Sequence, residues 1–227
     1  MRMVRFAFAL FALSAAGCAV DAADSDLAVD APNLSENWNT GTVAVNARWD
    51  SGLNANLSAW QYIHCNLDYG YDYMLTDINV YQEALTDPAE FIARMAGVCR
   101  EFDLWDPALS RTGTIASKTI FTAGFRAGAL SAQVPINNYP TGLALRVDSG
   151  NTHVKDVRIK YAPKNATWTA LDLASSSSTS WAIGYAGTTV NLNCPAQGVM
   201  TGLDLRYDTV TGQIRVLEIH CRELTWP

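Results

Sequence analysis

Histidine is scarce in this 227-residue chain, which has only three. His64 and His220 each stand before a cysteine in an Ile-His-Cys triplet, and His153 sits in a Gly-Asn-Thr-His turn. No Gly-x-Ser-x-Gly nucleophile turn, His-Glu-x-x-His zinc helix, phosphate-binding loop or dinucleotide glycine pattern occurs, so enzymes that carry a local signature of these kinds are excluded. Cys-x-x-Cys pairs are missing too, which leaves little for a structural zinc site. Basic charge is thin and scattered. The 16 Lys and Arg face 22 Asp and Glu, a net charge of −6, with no run of one sign. This balance argues against nucleic acids and anionic lipid surfaces as partners. The apolar stretch at the start, Phe6 to Ala16, has eleven residues, too few to span a bilayer, which takes about 20.

What the chain does contain is a repeat. Thr141-Gly142-Leu143-Ala144-Leu145-Arg146-Val147-Asp148 aligns without a gap with Thr201-Gly202-Leu203-Asp204-Leu205-Arg206-Tyr207-Asp208. The match extends back to Val134-Pro135 and Cys194-Pro195, and forward to Tyr161 and Cys221. A worn third copy runs from Cys65 through Met74-Leu75-Thr76-Asp77-Ile78 to Cys99, with an enlarged loop. Units of this size bury their apolar faces by sharing one core, and the three are expected to do so.

Alternating apolar residues at Leu143–Val147, Val154–Tyr161, Leu203–Tyr207 and Ile214–Val216 predict strands. Turn residues at Asn137-Asn138, Ser149-Gly150-Asn151 and Thr211-Gly212 separate them. Shorter strands are expected at Trp168–Leu171 and Trp181–Tyr185. The segment 88–99 is contested: Asp87-Pro88 is a good helix start, whereas the repeat demands strand. A short helical turn over Pro88–Ile92 followed by a strand satisfies both. The fold class expected is all-β with threefold repetition, a β-prism in the first instance and a β-sandwich as the alternative.

The N-terminus reads as an export signal: Arg2 and Arg5, then the short apolar stretch, then small residues. Ala15-Ala16-Gly17-Cys18 resembles the lipobox of bacterial lipoproteins, with Ala15 where that motif prefers Leu. The resemblance implies lipidation of Cys18 as the mature N-terminus, and Ala19 after it implies outer-membrane sorting. The alternative is cleavage near Ala22 and plain secretion. On this reading residues 1–17 are signal peptide, 18–37 an acidic tether, and 38–227 a single β domain. Losing Arg2 and Arg5 with the signal leaves 14 basic residues against 22 acidic ones, a net charge of −8. The membrane is then a partner only through the lipid anchor.

Five cysteines is odd for an exported protein. Setting Cys18 aside leaves four, which allow three connectivities. Only Cys65–Cys99 with Cys194–Cys221 keeps each bond inside a repeat. In the middle unit Val134 and Tyr161 stand at both cysteine positions at once, as expected of a bonded pair.

The element Cys-Pro-x-x-x-x-x-Thr-Gly-Leu-x-Leu, followed about twenty residues on by a strand ending in Cys, resembles the vitelline membrane outer layer protein family. That resemblance implies a three-sided β-prism and carries no agreed catalytic set. Cysteine loss in the middle copy departs from its pattern.

For chemistry the residues offer little. Cys65 opens a unit while Cys221 closes one, so the two Ile-His-Cys triplets are not equivalent. Each imidazole is expected on a solvent-facing strand position without a functional role. Arg146 and Arg206, beside Asp148 and Asp208, read as cross-strand ion pairs. Aromatic residues crowd the first unit, where core and inter-repeat packing is the first reading; Asp68, Tyr69, Tyr71, Asp72 and Tyr73 form the candidate ligand surface, aromatic faces beside carboxylates being the material of a sugar site. No catalytic residue, metal ligand or cofactor is expected. The function expected is a non-catalytic binding or structural protein of the cell envelope, with a glycan or an envelope protein as partner. The alternative is a secreted hydrolase using surface carboxylates.

Overall fold

In the computed structural model, the residues described are 43–65, 73–82, 91–101, 116–119, 130–167 and 169–224. Twelve strands carry them: β1 (Val43–Asp50), β2 (Gln61–His64), β3 (Tyr73–Gln82), β4 (Ile92–Glu101), β5 (Ala116–Thr119), β6 (Leu130–Gln133), β7 (Asn138–Val147), β8 (Val154–Pro163), β9 (Ser177–Ser178), β10 (Thr188–Asn193), β11 (Gly198–Tyr207) and β12 (Ile214–Glu223). They form three four-stranded antiparallel sheets. The first has the order β5-β4-β3-β6, the second β10-β7-β8-β9 and the third β1-β12-β11-β2. Each is built on one ten-by-ten-residue hairpin, β3-β4, β7-β8 or β11-β12. The architecture is an all-β prism of three sheets, and the sandwich alternative falls away.

The three threonines explain why the hairpins bend alike. Thr76, Thr141 and Thr201 each stand unpaired in the ladder, between Leu75 and Asp77, Pro140 and Gly142, and Met200 and Gly202. Each is a bulge residue that kinks its strand and increases the local twist. The residues two places earlier, Met74, Tyr139 and Val199, meet in one buried cluster. The main core draws on all three hairpins, with Leu75, Leu143 and Leu203 fully buried, as are Ile78, Leu145 and Leu205. The shared core follows from period-two alternation, which puts every second residue of each hairpin on the inner face.

Closure uses strand exchange. The strand that precedes each unit pairs with another unit's hairpin: β6 with β3, β10 with β7, and β2 with β11. The third sheet thus holds β1 and β2 beside the last hairpin. Both disulfides sit at such crossings. Cys65, just past β2 of the third sheet, is bonded to Cys99 in β4 of the first, at a Cα separation of 5.4 Å. Cys194, just past β10 of the second, is bonded to Cys221 in β12 of the third, at 5.5 Å. At the remaining crossing Val134 is fully buried and Tyr161 packs against the core.

Local expectations need three corrections. Residues 181–185 are not a strand. The buried carboxylate of Asp156 accepts from the Ile183 and Gly184 amides at 3.0 and 2.6 Å, so these donors are unavailable to a ladder. Around Leu171 only an isolated bridge to Lys164 forms, and Trp168 lies outside the described residues. The expected turn over Pro88–Ile92 falls mostly outside them, and Ile92 itself begins β4, which runs as strand through Cys99. Cys18 and the whole N-terminal segment also lie outside.

Candidate functional site

The outer face of the third sheet gathers most of the chemistry. On β2 and the residue before it, Trp60, Tyr62 and His64 alternate with buried Ile63, so all three point away from the core. Cross-strand register then lays out rows. His64 and His220 flank Gly202 on its two sides. Tyr62, Asp204, Glu218 and Arg48 form the next row. Arg206, Val216 and Asp50 form the third.

Gly202 is what allows the first row to close. A Cβ there would lie 2.7 Å from the Ile63 carbonyl oxygen, 2.9 Å from the His64 ring and 3.3 Å from the His220 Cβ. With no side chain between them, the two imidazoles approach to 4.4 Å between ring centroids. Asp204, two residues further along β11, reaches both. His64 Nε2 lies 2.7 Å from its Oδ1 and His220 Nε2 lies 3.0 Å from its Oδ2. The second contact is off-line for a hydrogen bond, so the His220 Nε2 atom is buried without one. Glu218 Oε1 stands 3.9 Å from the same nitrogen. Burial pushes the Asp204 carboxyl up, but its contacts with His220 and His64 outweigh this and hold it at about 2. Asp204 is therefore an anion at any ordinary pH.

Further along the face, two guanidinium groups lie near the ring of Trp60. Arg48 and Arg206 approach its ring at 5.5 and 5.6 Å, within reach of a cation–π attraction. Arg48 also pairs with Asp50 at 2.7 Å, and Arg206 Nε donates to the Ser58 carbonyl at 2.8 Å. Trp60 and Tyr62 remain 38% and 48% exposed.

Both histidines lie on outward-facing strand positions, as the alternation implies, but half-buried and side by side. The triplets at 63–65 and 219–221 are not equivalent within their units, yet strand exchange brings β2 beside β11 and the two imidazoles together over Gly202. The repeated Ile-His-Cys spelling was the signal, and only the closure of the prism gives it meaning. The arginine reading also needs correction. Arg146 donates to the Tyr185 carbonyl at 2.6 Å and stacks on Trp181 at 4.1 Å, as Arg206 does with Ser58 and Trp60. Asp148 and Asp208 instead accept from turn amides, those of Gly150 and His153 and those of Val210 and Thr211. Of the expected ligand surface, Asp68, Tyr69, Tyr71 and Asp72 lie outside the described residues, and Tyr73 opens β3, half-buried against the core.

No protein-family model matches the chain, and no curated protein sequence matches it. Among solved structures it is similar in shape to Calsepa lectin in complex with a biantennary N-glycan, at 8% identity and a TM-score of 0.49, over 80% of this chain and 98% of that one. It is also similar to a mannose-binding jacalin-related lectin from Ananas comosus, at 12% identity and a TM-score of 0.45, over 79% and 98%. A Malaysian banana lectin gives 11% identity and 0.44 over 79% and 99%.

Proposed function

We propose that this is an exported, lipid-anchored, non-catalytic binding protein of the cell envelope, and that the outer face of its third sheet takes a glycan. The observation that carries this is the exposed Trp60–Tyr62 pair on a rigid sheet face, set among Arg48, Arg206, Asp50 and Asp204. A sugar ring presents an apolar CH face, which stacks on an aromatic ring, and a rim of hydroxyls, which suits planar guanidinium and carboxylate groups. Few polar groups at fixed positions around an aromatic surface is how such sites achieve specificity. The acidic chain has no like-charge field that would draw a polyanion instead. Export and anchoring rest on the first eighteen residues.

A glycan array with the full oxidised chain tests the reading, beside a Trp60→Ala/Tyr62→Ala variant checked by circular dichroism. Binding that falls at least about tenfold in the variant, a loss of about 1.4 kcal/mol, supports it. No glycan bound, or a glycan cleaved, overturns it. Cys18→Ala should shift the chain from the membrane fraction to the soluble one, and an unmodified N-terminus by mass spectrometry overturns the anchor.

A further inference from the structure

We infer that His64, Asp204 and His220 form a binding site for a borderline divalent metal of the zinc class. Three observations converge. The donor atoms, two imidazole nitrogens and one carboxylate oxygen, all lie within 4.8 Å of one another. Around a tetrahedral metal with bonds of about 2.0–2.1 Å, ligand atoms sit about 3.3 Å apart. The two imidazoles now contact different oxygens of Asp204, His64 Nε2 lying 2.7 Å from Oδ1 and His220 Nε2 lying 3.0 Å from Oδ2, so side-chain rotation has to open these contacts by a few tenths of an ångström and aim both nitrogens at one point. The His220 Nε2 atom is buried without a hydrogen bond, although buried polar atoms normally find a partner. A metal supplies one and at the same time replaces the proton that His64 shares with Asp204.

The donor set is a property of this sheet and not of the fold. At the corresponding row of the second sheet, Asn193 and Lys160 flank Gly142, and the lysine ammonium donates to the Asn193 side chain at 2.6 Å. Ala144 stands there in the place of Asp204. In the first sheet the row is Gln133, Asp77 and Val98, and Asp77 pairs with Arg100 at 2.9 Å. Only the third sheet combines two imidazoles, an intervening glycine and a carboxylate aimed at both. Two nitrogens and one oxygen suit Zn²⁺, Co²⁺ or Ni²⁺, whereas Ca²⁺ and Mg²⁺ call for oxygen cages. Three protein ligands leave a fourth position open to water, to Glu218 or to a ligand on the Tyr62–Trp60 side.

The site shares Asp204 with the proposed glycan face but does not depend on that reading, and its test uses metal alone. The full oxidised chain is titrated with ZnCl2 and with CaCl2 by calorimetry, and with CoCl2 by visible absorption. One Zn²⁺ per chain, a tetrahedral Co²⁺ band and no Ca²⁺ binding are expected. His64→Asn, His220→Gln and Asp204→Asn should each weaken Zn²⁺ by more than the roughly 10–100-fold that loss of an outer partner costs. His153→Gln, the third histidine, should leave it unchanged. If His220→Gln fails to fold, a zinc-dependent rise in melting temperature present in the unaltered chain and lost in Asp204→Asn carries the same information. No saturable binding up to about 1 mM, a Kd that corresponds to only about 4 kcal/mol, overturns the proposal. So does stoichiometric binding that survives removal of both His64 and His220.

Discussion

The second and third sheets share a skeleton and differ in what they show to solvent. Inside, Leu143, Leu145, Val157 and Ile159 of one match Leu203, Leu205, Leu217 and Ile219 of the other, all fully buried. Both hairpins carry a bulge at the unit's threonine, both stack the aligned arginine on a tryptophan, and both pin the following turn with an aspartate. Outside, the second sheet presents Asn193 and Lys160 over Gly142, and the third presents His64 and His220 over Gly202. Packing density holds the inner face to a narrow set of side-chain volumes. The outer face is limited only by strand propensity and solubility, and is free to acquire chemistry. Duplication makes the frame, and the difference between copies makes the site.

Interior equivalence can be broken directly. Leu143→Ala and Leu203→Ala should each cost about 2–5 kcal/mol, by similar amounts, in chemical denaturation of the oxidised chain. A large gap between the two would mean that the sheets do not share the core equally.

The crossings come next in size. Replacing Cys194 and Cys221 together by Ala should remove about 3–4 kcal/mol on the chain-entropy account, the bonded residues being 27 apart. Val134→Cys with Tyr161→Cys, spaced identically, should form a third bridge, seen by non-reduced peptide mapping, and raise stability by a similar amount. Failure of that bond to form would show that the middle crossing has drifted from the geometry of its sisters.

A smaller effect separates the two glycines. A Cβ at Gly142 would clash with the Leu192 carbonyl oxygen, nearer than any contact at Gly202, where the nearest backbone atom, the Ile63 carbonyl oxygen, is 2.7 Å away and the next neighbour is the movable His64 ring at 2.9 Å. Gly142→Ala should cost more than Gly202→Ala, both within about 1–3 kcal/mol in thermal melts. Gly202→Ala should also shift the His64 and His220 ring signals in NMR spectra.

The smallest effect concerns the turns. Burial raises the Asp148 carboxyl, but amide donation from Thr152 and His153 wins and holds it below its usual 3.8. Asp208 is held low in the same way by Val210 and Thr211. A carboxyl lowered in the folded state contributes stability above its ordinary pKa and loses it as pH falls below that value. Asp148→Asn and Asp208→Asn should therefore each flatten the acid limb below about pH 4, by under about 1 kcal/mol because both groups lie near water.

The frame was readable because its cause is local. Alternation at 143–147 and 203–207 fixes which side chains face inward, and the gapless spacing of Thr141 and Thr201 implies equal hairpins before any coordinates exist. The paired loss of both cysteine positions at Val134 and Tyr161 likewise needs only the alignment. What escaped depends on which strand lies beside which. His64 comes just before the first unit in sequence and belongs to the third sheet by hydrogen bonding, a fact set by strand exchange between residues 140 positions apart. The segment 181–185 has a strand's alternation, but a single buried Asp156 captures its amides. Tryptophan clamping by Arg146 and Arg206 escaped for the same reason, since the ring comes from a loop that no local pattern positions.

The third sheet also has a temporal meaning. Its middle strands, β11 and β12, are the last of the twelve to be synthesised, while its edges, β1 and β2, are the first. As the chain leaves a ribosome, the first and second hairpins can form as they appear, but β1 and β2 must wait with open edges for partners more than a hundred residues away. Such distant pairing is slow to form, and unpaired edges recruit foreign strands. Because His64 and His220 straddle that final seam, the proposed metal site would assemble only once the third sheet has closed, and metal uptake would then mark completion of the fold.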